Sequence, residues 1–241
     1  TMTAILAALT FMHCSGNLPA KPLSNLEDKA VFHIYLNKTK QAEITSSIDK
    51  KGNYKRHFVA LASSGKKLEF KMKITPNRHG DWKKVEIINP NFGNWEVTRE
   101  GNKAKYKQDG EWKSFDIPEE YTFFDDNGNL FESVMLRKYD MKMKGKQVFK
   151  RFRVPEAPLP AGNVFDVELN YLWKESIKIR DKDRTFLVFN YKVFGIDVQY
   201  WVDEDRKLCM VNSPKENVVA VRAGFEDLIP HAKDTATTNS K

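Results

Sequence analysis

Cysteine is nearly missing: Cys14 and Cys209 are the two in 241 residues. That excludes a disulfide framework and any paired-cysteine metal or redox site. Glycine (12) and proline (10) are too sparse for a collagenous or low-complexity chain. The five histidines, at 13, 33, 57, 79 and 231, never fall within three or four residues of one another. No zinc-type histidine pair, phosphate loop or Gly-x-Ser-x-Gly nucleophile elbow is present. His33, His57 and His79 therefore read as surface or rim residues. The stretch Asp125–Asn129 looks like a calcium loop, but its glycine comes too early. Leu136 also stands where the bidentate glutamate belongs, so a turn explains the stretch better. The expectation is a protein with no enzymatic activity, cofactor or metal. A triad assembled in space stays open, because such sites are defined by geometry.

What is there is a core and a rhythm. Hydrophobic residues make up 41% and phenylalanine reaches 16, enough for one substantial core. Charged residues, at 30%, exclude a membrane-embedded body. Alternation of period two dominates. Phe32, Ile34 and Leu36 share one face; so do Leu68, Phe70, Met72 and Ile74. Phe165, Val167, Leu169, Tyr171 and Trp173 alternate with Asp166, Glu168 and Asn170. Short strand candidates lie at 85–88 and 95–98. Turn chemistry separates the runs, as at Gly52, Gly101, Gly145 and Asp203–Asp205. This predicts a mainly β fold, an antiparallel meander forming a barrel, half-barrel or sandwich. One helix is expected over 129–139, where Leu130 and Val134 fall on one stripe beside Phe131, Met135 and Tyr139. The preceding Asp-Asp-Asn-Gly would cap it, and it would pack on the concave side of the sheet. The chain divides into a signal-peptide-like segment (1–20), a linker (21–27), one β domain (28–229) and a tail (230–241).

The net charge of +8 is unevenly spread. Lys38 to Arg78 holds 11 basic and three acidic residues; Arg137 to Arg153 holds eight and one. Such zones suit an anionic surface. In Lys67–Ile74, however, the charges occupy every second place opposite an apolar face. That describes a solvated strand face whose lysines protect a sheet edge. Nothing in the sequence signals nucleic-acid binding. Asn37-Lys38-Thr39 fits a glycosylation acceptor by chance.

No charge occurs before Lys21, and the run from Ala4 to Met12 is apolar, followed by Ser15, Gly16, Pro19 and Ala20. The run is too short to span a bilayer and matches a secretory signal core, although a basic leading segment is missing. A buried amino-terminal helix is the alternative. Cys14 sits where a lipoprotein cysteine would, yet Phe11, Met12 and His13 are poor predecessors for that processing. Cleavage after Gly16 or Ala20 would remove it. Cys209, within an apolar run, reads as a small buried residue. Export to the periplasm or cell envelope of a bacterium is the expectation, with peripheral membrane association only if Cys14 is lipidated.

Tyr171, Trp173, Phe189, Tyr191 and Tyr200 fall on the inward phase of three consecutive strands. They either fill a closed interior or line an apolar groove for a lipid-like ligand. The stretch from Val193 through Gly195, Trp201 and Asp203 to Leu208, with Asn217 to Arg222, resembles secreted bacterial β domains of unknown function. Those domains occur alone, as lipoprotein types, or ahead of α/β-hydrolase domains. The resemblance implies a half-barrel-like fold and transfers no catalytic residue. Two function classes follow. One is a non-enzymatic envelope protein that binds an apolar or lipid-like ligand or a protein partner. The other is an accessory, substrate-presenting domain associated with a hydrolase.

Overall fold

Antiparallel neighbours need only short hairpins between them, and the chain uses this twice. The computed structural model describes residues 27–61, 65, 67–77, 82–90, 93–108, 111–117, 122–124, 130–153 and 163–232. The first meander comprises β1 (Asp28–Leu36), β2 (Thr39–Ile48), β3 (Tyr54–Leu61), β4 (Lys67–Pro76), β5 (Trp82–Asn89), β6 (Gly93–Glu100), β7 (Lys103–Gln108) and β8 (Glu111–Asp116). After β9 (Thr122–Phe124) and the helix α1 (Glu132–Leu136), the second meander begins with β10 (Lys146–Arg153) and β11 (Asn163–Ile179). It continues through β12 (Lys182–Val193), β13 (Ile196–Val202), β14 (Leu208–Ser213) and β15 (Val218–Arg222).

β15 returns to pair with β1, from Phe32 opposite Arg222 to Leu36 opposite Val218. One fifteen-stranded sheet results, running from β8 through β1 to β15 and on to β9. All described pairings are antiparallel except β9 against β10. The expected antiparallel meander is therefore present, and the sheet is open. Its seam is bridged by rings: Trp82 of β5 stacks on Phe152 of β10 at 5.3 Å, and Phe115 of β8 lies 6.3 Å from the same ring. The sheet curls until its two ends meet through side chains, giving a half-barrel with a filled interior.

Several hairpins close with two residues at positive φ. These are Asn37 and Lys38 (50° and 66°), Arg180 and Asp181 (47° and 65°), and Phe194 and Gly195 (49° and 79°). That is the geometry whose twist matches the flanking strands. The chance glycosylation triplet is thus the β1–β2 turn.

Alternation decides what enters the interior. Ala30, Phe32, Ile44, Ile48, Tyr54, Ile74, Val85, Val97 and Tyr106 from the first meander meet Phe152, Val167, Leu169, Phe189, Tyr200 and Leu208 from the second. The opposite face of the second meander carries a separate apolar cluster. Ile177, Phe186, Val188, Trp201, Cys209, Met210 and Val221 lie there with Leu228, which comes from the 3-10 turn Glu226–His231. Strands covered on both faces lose their alternation, and β14 is buried at five of its six positions.

Two expectations are corrected. The lysines of Lys67–Ile74 do not guard an edge, because β4 is paired on both sides by β3 and β5. They are solvated, and Lys71 and Lys73 reach Glu69 and Glu86. The helix spans only Glu132–Leu136, with Phe131 at its N-cap and no side-chain cap; the expected Asp-Asp-Asn-Gly cap lies outside the described residues. Pro230 and His231 belong to the 3-10 turn, with His231 held 3.4 Å from Glu175, and residues 233–241 of the expected tail lie outside the described residues. The signal-like segment, Cys14 and the calcium-loop look-alike lie outside the described residues.

Candidate functional site

The interior comes first, because the aromatic candidates point there. Tyr171, Phe189, Tyr191 and Tyr200 do share the inner face, but as packing. Phe189 takes Tyr139 at 5.2 Å and Tyr171 at 5.7 Å, both edge-on, and Tyr191 lies 5.1 Å from Tyr200. The Tyr139 hydroxyl donates to the Gly145 carbonyl at 2.6 Å and accepts the Tyr171 amide at 3.2 Å. Such offset rings supply core stability in addition to the area they bury.

Trp173 does not join them. Tyr171 pairs with Phe189 while Trp173 pairs with Val188, so Leu172 is an extra residue on β11. A bulge of this kind inverts the inside–outside phase of the strand beyond it. Trp173 consequently packs on the outer face, 6.3 Å from Trp201, and donates its ring N–H to Glu175 at 3.0 Å. Period-two reading places it inside because the sequence carries no mark of the bulge.

The plug is α1. Leu130, Phe131, Val134, Met135, Leu136 and Tyr139 are all buried. Phe131 meets Tyr54 of β3 at 5.5 Å. Glu132 is 1% exposed, and Arg151 of β10 donates to both of its carboxylate oxygens at 2.6 Å. Arg151 also donates to the Tyr191 hydroxyl at 3.2 Å. At the other end of the helix, Arg206 donates to the carbonyls of Leu136 and Tyr139 at 2.9 and 2.8 Å. Ser133 Oγ accepts the Leu208 amide at 3.2 Å. Paired, bidentate charges are what permits burial of ions at all. Sequence reasoning missed this pair. Its one signal is Glu132, the single acid in the apolar stretch from Leu130 to Leu136. Cys209 is buried too, and burial pushes its thiol up to about 12. A thiol so hard to ionise is a poor nucleophile.

With the interior occupied, the surface carries the candidate site. Strand directions define two ends. The β1–β2 turn lies at one end, and strict alternation brings the close of β3, β5 and β7 and the start of β4, β6 and β8 to the same end. Because Val218 opens β15 opposite Leu36, the β12–β13 turn also arrives there. Eight large apolar side chains are exposed among the described residues. Leu36, Leu61, Leu68, Ile88, Trp112 and Phe194 sit on this one rim; Met143 and Val148 are elsewhere. Leu61 is 67%, Trp112 57% and Phe194 68% exposed. Lys38, Lys107, Lys192 and Lys215 lie near the same end, and none of them forms an ion pair among the described residues.

Phe194 is the most telling member of the rim. It holds φ of 49° in a turn position where asparagine or glycine is at ease. Phe165 approaches its ring at 4.9 Å, and the Arg153 guanidinium stands 6.0 Å away, so the ring is fixed while facing solvent.

No family model matches the chain, and no curated protein matches it. Among solved structures, the β-barrel-like protein of domain of unknown function DUF1849 from Brucella abortus aligns with a TM-score of 0.51. It covers 80% of this chain and 94% of that one at 10% identity. A DUF1089 family protein from Pseudomonas aeruginosa aligns at 0.46, covering 73% and 91% at 11% identity. The first likeness shows the fold alone, a β-barrel-like one. Fold alone assigns no activity.

Proposed function

We propose that this is a non-enzymatic protein of the bacterial cell envelope, exported through its amino-terminal segment, that docks on an anionic lipid surface by its apolar rim. The lipid-like partner expected from the sequence is thus a bilayer met from outside, not a molecule carried within the half-barrel. The gathering of six exposed apolar side chains on one end carries this reading. Scattered single exposed residues need no explanation, whereas a collected set does. Their distribution over several strand ends suits a broad fluid surface better than a narrow cleft. Unpaired lysines on the same end add attraction to anionic headgroups. An acyl chain on Cys14 would act as a second anchor beside the rim, because a single chain holds only marginally.

Flotation of the full-length protein with phosphatidylglycerol vesicles and with phosphatidylcholine vesicles tests this. The protein is expected to float with the first and much less with the second. Phe194→Asn and Trp112→Ser should each lower partitioning about tenfold, the loss of roughly one large side chain's burial. Protein that stays in the soluble fraction with both lipids, or variants that float as well as the parent, would refute the docking. Mass spectrometry of the mature amino terminus tests export and Cys14 acylation. Labelling by a serine-hydrolase probe would overturn the non-enzymatic reading.

A further inference from the structure

The end opposite the rim holds a different surface. The β11–β12 hairpin turns there at Arg180 and Asp181, and β15 runs out there into Ala223, Gly224 and Phe225. Between the two lies a pocket of about 270 Å³ lined by Ile179, Arg180, Lys182, Arg184, Gly224 and Phe225. Three of those lining residues are cationic, and their charged heads form no ion pair among the described residues. Elsewhere on the surface Lys40, Lys67, Lys71, Lys73, Lys84, Lys105, Lys146, Lys150 and Lys174 reach carboxylates.

Two nearby carboxylates are engaged otherwise, while Asp181 and Asp183 of the same hairpin form no ion pair among the described residues. Asp227 accepts the Arg180 backbone amide at 3.1 Å, and Glu226 accepts the Gly224 amide at 2.8 Å and faces His33 at 3.4 Å. Two of the three cations are also positioned by their neighbours. The Arg184 guanidinium lies over the Phe225 ring at 5.5 Å, and Phe225 is itself wedged edge-on against Phe186 at 6.1 Å. Arg180 lies across Gly224, at φ of 89°, so closely that a Cβ there would come within 3.2 Å of its guanidinium. Glycine is favoured at this position by the backbone conformation, and a Cβ would push the Arg180 guanidinium aside by a few tenths of an ångström.

We propose that this pocket binds a soluble phosphate-monoester anion. Two guanidiniums and an ammonium match the charge and multiple acceptors of a phosphoryl group. Phe225 and Ile179 give an apolar wall for the group that the phosphate is attached to. The pocket lies at the end away from the apolar rim, so a free ligand fits it better than a bilayer headgroup. The assignment of a phosphoryl site does not depend on the rim's role; the choice of a free ligand over a headgroup rests on that reading.

The test uses the full-length protein, phenyl phosphate as the probe, and backbone amide NMR. Amides of 179–184 and 223–225 should shift, with a Kd of about 1 mM or tighter that weakens as salt is raised. Arg180→Gln and Arg184→Gln should each weaken binding about tenfold without altering the thermal unfolding midpoint, since both side chains are exposed. Inorganic phosphate should shift the same amides more weakly, and phenol should not shift them. Absence of shifts at these amides, or variants that bind equally well, would overturn the assignment. Capture of phosphatidylglycerol vesicles that these variants abolish, with phenyl phosphate ignored, would overturn it in favour of a headgroup site. Vesicle flotation that persists in both variants separates this pocket from the rim.

Discussion

Removing the Glu132 carboxylate should be among the most costly single changes available in this chain. In Glu132→Gln the side chain keeps its length, but Arg151 keeps a buried positive charge that has lost both of its 2.6 Å acceptor contacts to a carboxylate. Both side chains are at most 2% exposed, so water cannot restore what is lost. Breaking one partner of such a pair costs about 3–5 kcal/mol. At about 2–4 °C per kcal/mol for a domain of this size, the unfolding midpoint should fall by about 6–20 °C. Thermal unfolding followed by circular dichroism, with urea titration as a second measure, reads this directly. Arg151→Met should cost a similar amount, leaving Glu132 charged and removing the donor to Tyr191. The decisive comparison is the double variant Glu132→Leu with Arg151→Met. It removes both charges together and should recover most of the loss, returning to within about 1–2 kcal/mol of the parent, because an apolar replacement avoids the desolvation of two ions. Single variants that each cost less than about 1 kcal/mol, or a double variant whose cost is their sum, would refute the claim that the two charges depend on each other.

The Glu69 carboxyl should titrate near 2, well below its usual 4.5, because Lys67 and His57 hydrogen-bond its charged form. Its contribution to stability is complete above the ordinary value and disappears as pH falls toward about 2. Carboxyl NMR should show this midpoint, and Lys67→Gln should raise it; a midpoint near 4.5 in the parent would contradict the geometry. Phe194→Asn relieves a left-handed phenylalanine but loses its ring contacts, terms of about 1 kcal/mol each. The unfolding midpoint should therefore barely move while vesicle flotation falls. Cys209 should react with a thiol reagent only at the rate of global unfolding, since it is buried and its thiol sits at about 12; rapid native labelling would count against that. Gly224→Ala should destabilise the fold by about 1 kcal/mol, because φ there is 89°, a conformation side-chain-bearing residues rarely adopt.

Much of the architecture was legible because a pleated strand repeats every two residues. The alternation of Phe32 with Ile34, of Met72 with Ile74, and of Val167 with Leu169 predicts sheet faces, and each of these residues packs in or against the same interior core. Glycine and asparagine at turn positions predict the hairpins, as at Gly52 and Gly101, both at positive φ. The apolar stretch at Leu130–Tyr139 predicts a helix, although interior packing halves its length.

Other features belong to the tertiary structure alone. Pairing order is invisible in a meander's sequence, so β4 resembles an edge strand until β5 is seen beside it. A bulge carries no residue signature, which is why Trp173 changes faces unannounced. Glu132 and Arg151 stand 19 positions apart and become partners only when α1 enters the half-barrel. The rim and the cationic pocket likewise gather residues from distant strands. Local side-chain periodicity therefore determined that the chain forms sheets and which face of most strands is apolar. Curling of the one open sheet decided what fills the interior and which surfaces remain available for binding. Hydrophobic alternation is a short-range property of the backbone's pleat, whereas a site is a meeting of side chains that only long-range strand pairing brings about.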